Sequence, residues 1–341
     1  MFTPAHGIMH HHNIMTFQRW ITAACIGCML GASVATAAPF DDGIAAYGKG
    51  DYAQAISVFR PLATEGDAGA QFNLGRMSLN GKGVPKDYRE ALKWFRLAAA
   101  QGYVSAQYSL GWMYENGKGV NRDYQAAVKW FRLAAAKGNT RARYSLGMMY
   151  ENGNGIPQDY QEAIKWYRLA AAQGHVDAQY ALGWIYSNGE GITQDYQEAL
   201  KWYRLAAAKG DAKMQNSLGW MFYHGKGIAQ DYPEAMKWFH LAAVQGYAKA
   251  QYSLGWMYLR GEGITRDDQE ALKWFRLAAD QGDVNAQYNL GAMYLRGEGI
   301  TRDDQEALKW FLLAAAQGDE PAKEILKQPE MVAAAQSQSK Q

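Results

Sequence analysis

Residues 106–141 read AQYSLGWMYENGKGVNRDYQAAVKWFRLAAAKGNTR, and this phrase decides the fold. Versions of it also begin at Ala70, Ala142, Ala178, Met214, Ala250 and Ala286, so seven copies of 36 residues follow one another without insertion or deletion. A period of this length marks an array whose units bury their apolar faces against their neighbours. It predicts an all-α solenoid of helix pairs and argues against a globular enzyme core.

Two helices are legible in each copy. Ala106, Leu110, Met113 and Tyr114 share one face at helical spacing, and Asn116-Gly117 closes that helix, glycine supplying the left-handed terminal conformation. After the loop KGVNR, Asp123 starts a second helix whose apolar stripe is Ala127, Trp130, Phe131 and Ala134, ending at Gly138. Asp recurs at this place in every copy from Asp87 to Asp303, with Glu three residues later except at Ala126. The spacing predicts a capping box, in which Asp accepts from an early amide and Glu returns to the cap amide. These repeated carboxylate pairs are therefore read as helix caps, not as catalytic acid and base. Gly111 falls in mid-helix, where glycine costs about 1 kcal/mol relative to alanine, so it requires a packing reason: room for the bulky side chains of the paired helix. The loop glycines lack the strand and GK[ST] context of a phosphate-binding loop.

The rest of the chain frames this array. Its 341 residues carry 35 Lys plus Arg against 33 Asp plus Glu, a balance that does not suggest a nucleic-acid partner. Residues 21–34 are uncharged and mostly apolar, follow Arg19 and precede Ala35-Thr36-Ala37. That is the pattern of a secretory signal peptide over residues 1–37, too short for a membrane span of about 20 residues. Met15 is an alternative start, and the mature chain is expected to be periplasmic or secreted without a membrane span. Cys25 and Cys28, the only cysteines, fall inside the signal, as do His10, His11 and His12, and no metal-ligand spacing occurs elsewhere. No cofactor or metal is expected. Residues 41–69 read as an N-terminal capping pair with its turn at Gly48–Asp51 and a kink at Pro61. Residues 322–341 read as a short capping helix ended by Pro329 and a disordered tail from Gln328.

The repeated positions Ala106, Leu110, Gly111, Tyr114, Gly117, Gly119, Asp123, Ala127, Trp130, Phe131, Ala134, Ala135 and Gly138 resemble Sel1-like repeats, a relative of tetratricopeptide repeats. The resemblance covers residues 70–321, and residues 41–69 resemble a shorter tetratricopeptide-like unit. It implies a right-handed α/α superhelical solenoid and, for exported bacterial members, an adaptor in envelope or host-contact processes. One cysteine-rich branch is linked to β-lactam binding or hydrolysis, but its repeat cysteines are absent from this array.

Candidate binding residues are bulky side chains without a packing reason. The second-helix tryptophans from Trp94 to Trp310 sit on the core stripe, and Trp202→Ala is expected to cost about 3–5 kcal/mol. In the first helix, the third and seventh positions of the copy lie about 160–200° from the core leucine and carry Tyr108 and Trp112, Tyr180 and Trp184, Trp220, then Tyr252 and Trp256. The resemblance puts first helices on the concave face, where these seven residues would form an aromatic ladder for a protein or peptide segment or a glycan. Tyrosines that fill grooves between repeats are the competing reading. The alternative to a scaffold is an envelope enzyme of the β-lactamase-like or peptidoglycan-acting type. It would need a nucleophile with a base in reach, which the repeat does not supply.

Overall fold

The computed structural model describes residues 39–338, so the signal-like segment, both cysteines and residues 339–341 lie outside the described residues. Every regular element among the described residues is an α-helix. The described residues form two compact units that divide between Ala142 and Arg143.

The first unit contains α1 (Pro39–Lys49), α2 (Tyr52–Thr64), α3 (Ala68–Asn80), α4 (Tyr88–Ala100), α5 (Val104–Asn116) and α6 (Tyr124–Ala136). The second contains most of α7 (Thr140–Asn152), then α8 (Tyr160–Ala171), α9 (Val176–Asn188), α10 (Tyr196–Ala207), α11 (Ala212–His224) and α12 (Tyr232–Ala243). It continues with α13 (Ala248–Arg260), α14 (Asp268–Asp280), α15 (Val284–Arg296), α16 (Asp304–Ala316), α17 (Glu320–Ile325) and α18 (Pro329–Gln338). Each copy is one helix pair, such as α5 with α6 or α11 with α12.

The glycine in the middle of each first helix has a single cause. A Cβ on Gly111 would sit 2.5 Å from the Phe131 ring, and one on Gly219 would sit 2.7 Å from Phe239. The paired helix lays its largest ring directly on that backbone. Only this aromatic is fully buried: Phe95, Phe131, Tyr167, Phe239, Phe275 and Phe311 are all inaccessible. The neighbouring tryptophan, expected in the core, is half-buried instead, except for Trp310. Trp202 packs on the core of residues 163–185 and Trp274 on that of 199–257, so both reach back to the preceding repeat.

Caps form as expected for Asp and differently for Glu. Asp87 accepts from the amides of Arg89 and Glu90, and Asp195 from those of Gln197 and Glu198. The Asp amide itself donates to a first-helix carbonyl, as Asp87 does to Ser78 and Asp195 to Tyr186, so it is not available to the Glu. Glu turns instead to Lys three residues on, as in Glu90 with Lys93 and Glu234 with Lys237. First helices close on left-handed glycines, Gly117 at φ 62° among them.

The C-terminal tail departs from the sequence expectation. Residues 329–338 are helical, and α18 buries Met331 and Ala334 in the core of the last repeat. A terminal repeat has no following unit to cover its apolar side, and α18 supplies that cover. At the other end α2 runs through Pro61 to Thr64.

Candidate interaction site

In the second unit α9, α11 and α13 carry the predicted ladder. Trp184 is the most exposed of its aromatics, 39% accessible, with the Tyr180 ring 6.4 Å away. Tyr252 and Trp256 stack likewise at 6.5 Å. The tyrosines face inward: Tyr180 packs on Tyr203 at 6.2 Å and Tyr252 on Phe275 at 5.8 Å. Burial raises the Tyr180 phenol to about 12. The Lys213 ammonium lies 3.8 Å over the Tyr180 ring, and burial lowers its pKa.

Trp220 and Trp256 come together. Between α11 and α13 lies a cavity of about 270 Å³ walled by Trp220, Phe239, Tyr252 and Trp256, with Tyr223, His224 and Ser253 as its polar groups. Trp220 is fixed by stacking on His224 at 4.9 Å and meeting Phe239 edge-on at 5.6 Å. The Arg260 guanidinium covers Trp256 at 4.5 Å. The polar groups are mostly engaged: the Tyr223 hydroxyl donates to Glu262 at 2.6 Å, and Ser253 donates to the Lys249 carbonyl. Burial, then Lys226, lowers the pKa of His224 and favours its neutral form. The result is an apolar, aromatic-walled recess with one uncommitted imidazole.

Of the seven sequence candidates, Trp220, Tyr252 and Trp256 line this cavity. Trp184 and Tyr180 stand on α9 outside it, and Trp112 and Tyr108 belong to the first unit, where Tyr108 packs on Phe131 at 5.7 Å. Tyr223, His224, Phe239 and Ser253 were not among those candidates. A signal existed for two of them, because the fifth copy departs from consensus at Tyr223 and His224. A larger notch of about 590 Å³ lies at α14 and α16, and most of its charges are engaged: Lys309 pairs with Glu306, Arg302 with Asp304, and Arg276 donates to the Tyr294 hydroxyl, while the Asp280 carboxylate at its edge is unpaired among the described residues. Among the described residues no His, Cys, Asp and Glu cluster could hold a metal, and no helix is long and apolar enough to cross a membrane.

A family model described as Sel1 repeat matches seven consecutive segments: residues 68–103, 104–139, 140–175, 176–211, 212–247, 248–283 and 284–319. The chain belongs to the Sel1 repeat family. The matched segments start two residues before the Ala70 register, where the first helix of each pair begins. Two solved Sel1-type structures are similar over most of the chain. One is c5321, a protective antigen of uropathogenic Escherichia coli with an SLR fold, 38% identical with a TM-score of 0.79, covering 84% of this chain and 63% of that one. The other is a Sel1 repeat protein from Oxalobacter formigenes, 35% identical with a TM-score of 0.70, covering 85% of both chains. The chain thus spans somewhat under two thirds of c5321. A search of the curated proteins found no match. Sel1 repeats are typically protein-interaction scaffolds, and this chain is a Sel1 repeat solenoid.

Proposed function

We propose that this Sel1 repeat chain is an exported interaction scaffold that holds an extended segment of a partner protein across the first helices of its second unit. The observation that carries the reading is the cavity of about 270 Å³, in which Trp220 and Trp256 from successive repeats converge. Rigid aromatic anchors in a desolvated recess dominate protein interfaces. A glycan would present hydroxyls to this wall, yet the Tyr223 and Ser253 hydroxyls already donate within the chain. An apolar side chain of a protein segment fits that chemistry better. Export rests on the signal-like residues 1–37 and on the kinship with c5321, described as a protective antigen.

The test is site-specific photocrosslinking in intact cells from probes at Trp184, Trp220 and Trp256, followed by identification of the partner and affinity measurement with the purified pair. Trp220→Ala and Trp256→Ala should each weaken binding at least about tenfold, the effect of losing a hot-spot residue. Trp184→Ala should weaken it less. Equal affinity of all three variants and the parent would refute the site, and nitrocefin turnover proportional to enzyme would overturn the scaffold reading.

A further inference from the structure

The second helices of the second unit carry a feature that neither the core nor the cavity uses. In α10 and its C-cap, Lys201, Arg204, Leu205 and Ala208 follow the i, i+3, i+4, i+7 spacing of one face and are all exposed. The same place holds Leu169, Leu205, Leu241, Leu277 and Leu313, each 39–52% accessible. Successive second helices are neighbours, as shown by His240 of α12 against Trp274 of α14 at 5.9 Å and by Lys209 donating to the Gly174 carbonyl at 2.7 Å. The leucines therefore form a row, one per repeat. With Val244 and Leu312, also exposed, the row presents roughly 500 Å² of apolar side chain, within the size that marks functional patches on monomers.

Substitutions along the row indicate what covers it. Four of the five repeats carry Arg or His beside the leucine, and the last carries Leu312. The middle repeat has His240, Leu241 and Val244, the last 60% accessible, and so lacks the arginine of both neighbours and the alanine of the preceding one. One repeat later Asp280 stands where the other copies have Ala or Val. It is the last residue of α14, where a negative charge opposes the helix dipole. Arg168 and Arg276 donate to the hydroxyls of Tyr186 and Tyr294. Phe222 replaces that tyrosine for Arg204. Among the described residues neither the Arg204 guanidinium nor the Asp280 carboxylate has a hydrogen-bond or ion-pair partner.

We propose that this leucine row is the contact surface for a second copy of the chain, related by a two-fold axis through Leu241 and Val244 that reverses the repeat order. A partner that fits between leucines spaced one per repeat must present apolar groups at the same spacing, and a second copy does so by construction. The reversal sets the fourth repeat of one copy against the sixth of the other. Arg204 then meets Asp280 of its counterpart twice over, as an isologous interface requires, one helical turn of about 6 Å apart along the axis and within an arginine's reach. It also sets Arg168 against Leu312 and leaves no arginine on the axis itself. The apolar area corresponds to the non-polar share of an interface near about 800 Å² per partner, the size of a standard specific complex. This inference concerns the second helices and does not depend on the partner-binding reading of the first helices.

Sedimentation velocity of the full chain over a hundredfold dilution should show a reversible dimer. Leu241→Glu should leave a monomer with the parental melting temperature, since Leu241 is partly exposed and outside the buried core. Asp280→Arg should raise the dissociation constant about tenfold, as loss of a close interfacial charge pair does. Arg204→Asp combined with Asp280→Arg should restore it. A monomer at every concentration overturns the proposal, as does a monomer that instead co-sediments with anionic vesicles through these leucines. A dimer unaffected by Leu241→Glu, or a double exchange that fails to restore affinity, also overturns it.

Discussion

The first helix of most copies buries a glutamine that clamps neighbouring repeats. Gln251 donates through Nε2 to the Ala243 carbonyl of the preceding repeat at 3.1 Å and accepts through Oε1 from Gln281 at 2.7 Å. Gln71, Gln215 and Gln287 accept in the same way from Gln101, Gln245 and Gln317. In two copies the donor is a lysine. Lys137 and Lys209 reach past the glutamine to the carbonyls of Gly102 and Gly174, leaving Oε1 of Gln107 and Gln179 buried without a partner. Leaving a buried acceptor unpaired costs about 1–3 kcal/mol, whereas the exposed lysine contact contributes little. Glutamine at the lysine position retains the carbonyl contact, since Gln317 bonds both the Gly282 carbonyl and Gln287. Lys209→Gln should therefore stabilise the second unit by about 1 kcal/mol, roughly 2–4 °C for its size, and Lys137→Gln the smaller first unit by a similar free energy, roughly 4–8 °C. Urea unfolding followed by circular dichroism measures it. The reverse exchange, Gln317→Lys, should destabilise by the same amount. The reasoning is refuted if Lys209→Gln is neutral or destabilising while Gln317→Lys leaves stability unchanged.

Further expectations follow from the packing. Phe239→Ala should cost about 3–5 kcal/mol as a fully buried ring, while Trp202→Ala, half-buried and with its indole N–H unpaired, should cost clearly less; chemical denaturation of both variants decides the order. Burial raises Glu115 to about 7, and where Glu151 receives the Tyr167 hydroxyl, Glu115 faces the position of Phe131, which has none to give. The folded state thus holds a proton that the unfolded chain has released, so stability should fall as pH rises from about 4.5 to about 7 and stay low above it. Glu115→Gln should flatten that part of the pH profile and stabilise the first unit near pH 8 by about 2–3 kcal/mol, read by melts across the pH range.

Local chemistry made much of this legible beforehand. The 36-residue period, the Asp caps, the terminal glycines and the mid-helix glycine are properties of single helices and their immediate pairing, so they can be read from spacing. The Glu of the capping box was misplaced because its target amide had been taken by a carbonyl of another helix. The tail was read as disordered because its composition is polar, although Met331 and Ala334 gain burial from a repeat end that the segment itself does not encode.

By itself the sequence determined that this chain is an all-helical Sel1 repeat array, because a motif written seven times dictates one helix pair seven times. Only the tertiary structure decided which of two adjacent aromatics enters the core. Trp130 and Phe131 stand 100° apart and both border the apolar stripe, but only Phe131 faces the gap that Gly111 opens on the partner helix. The same holds for the candidate site. Trp184, Trp220 and Trp256 occupy equivalent positions, and what gathers two of them into one cavity is the packing of α11 against α13 around Phe239 and His224, which no spacing within a single repeat can express.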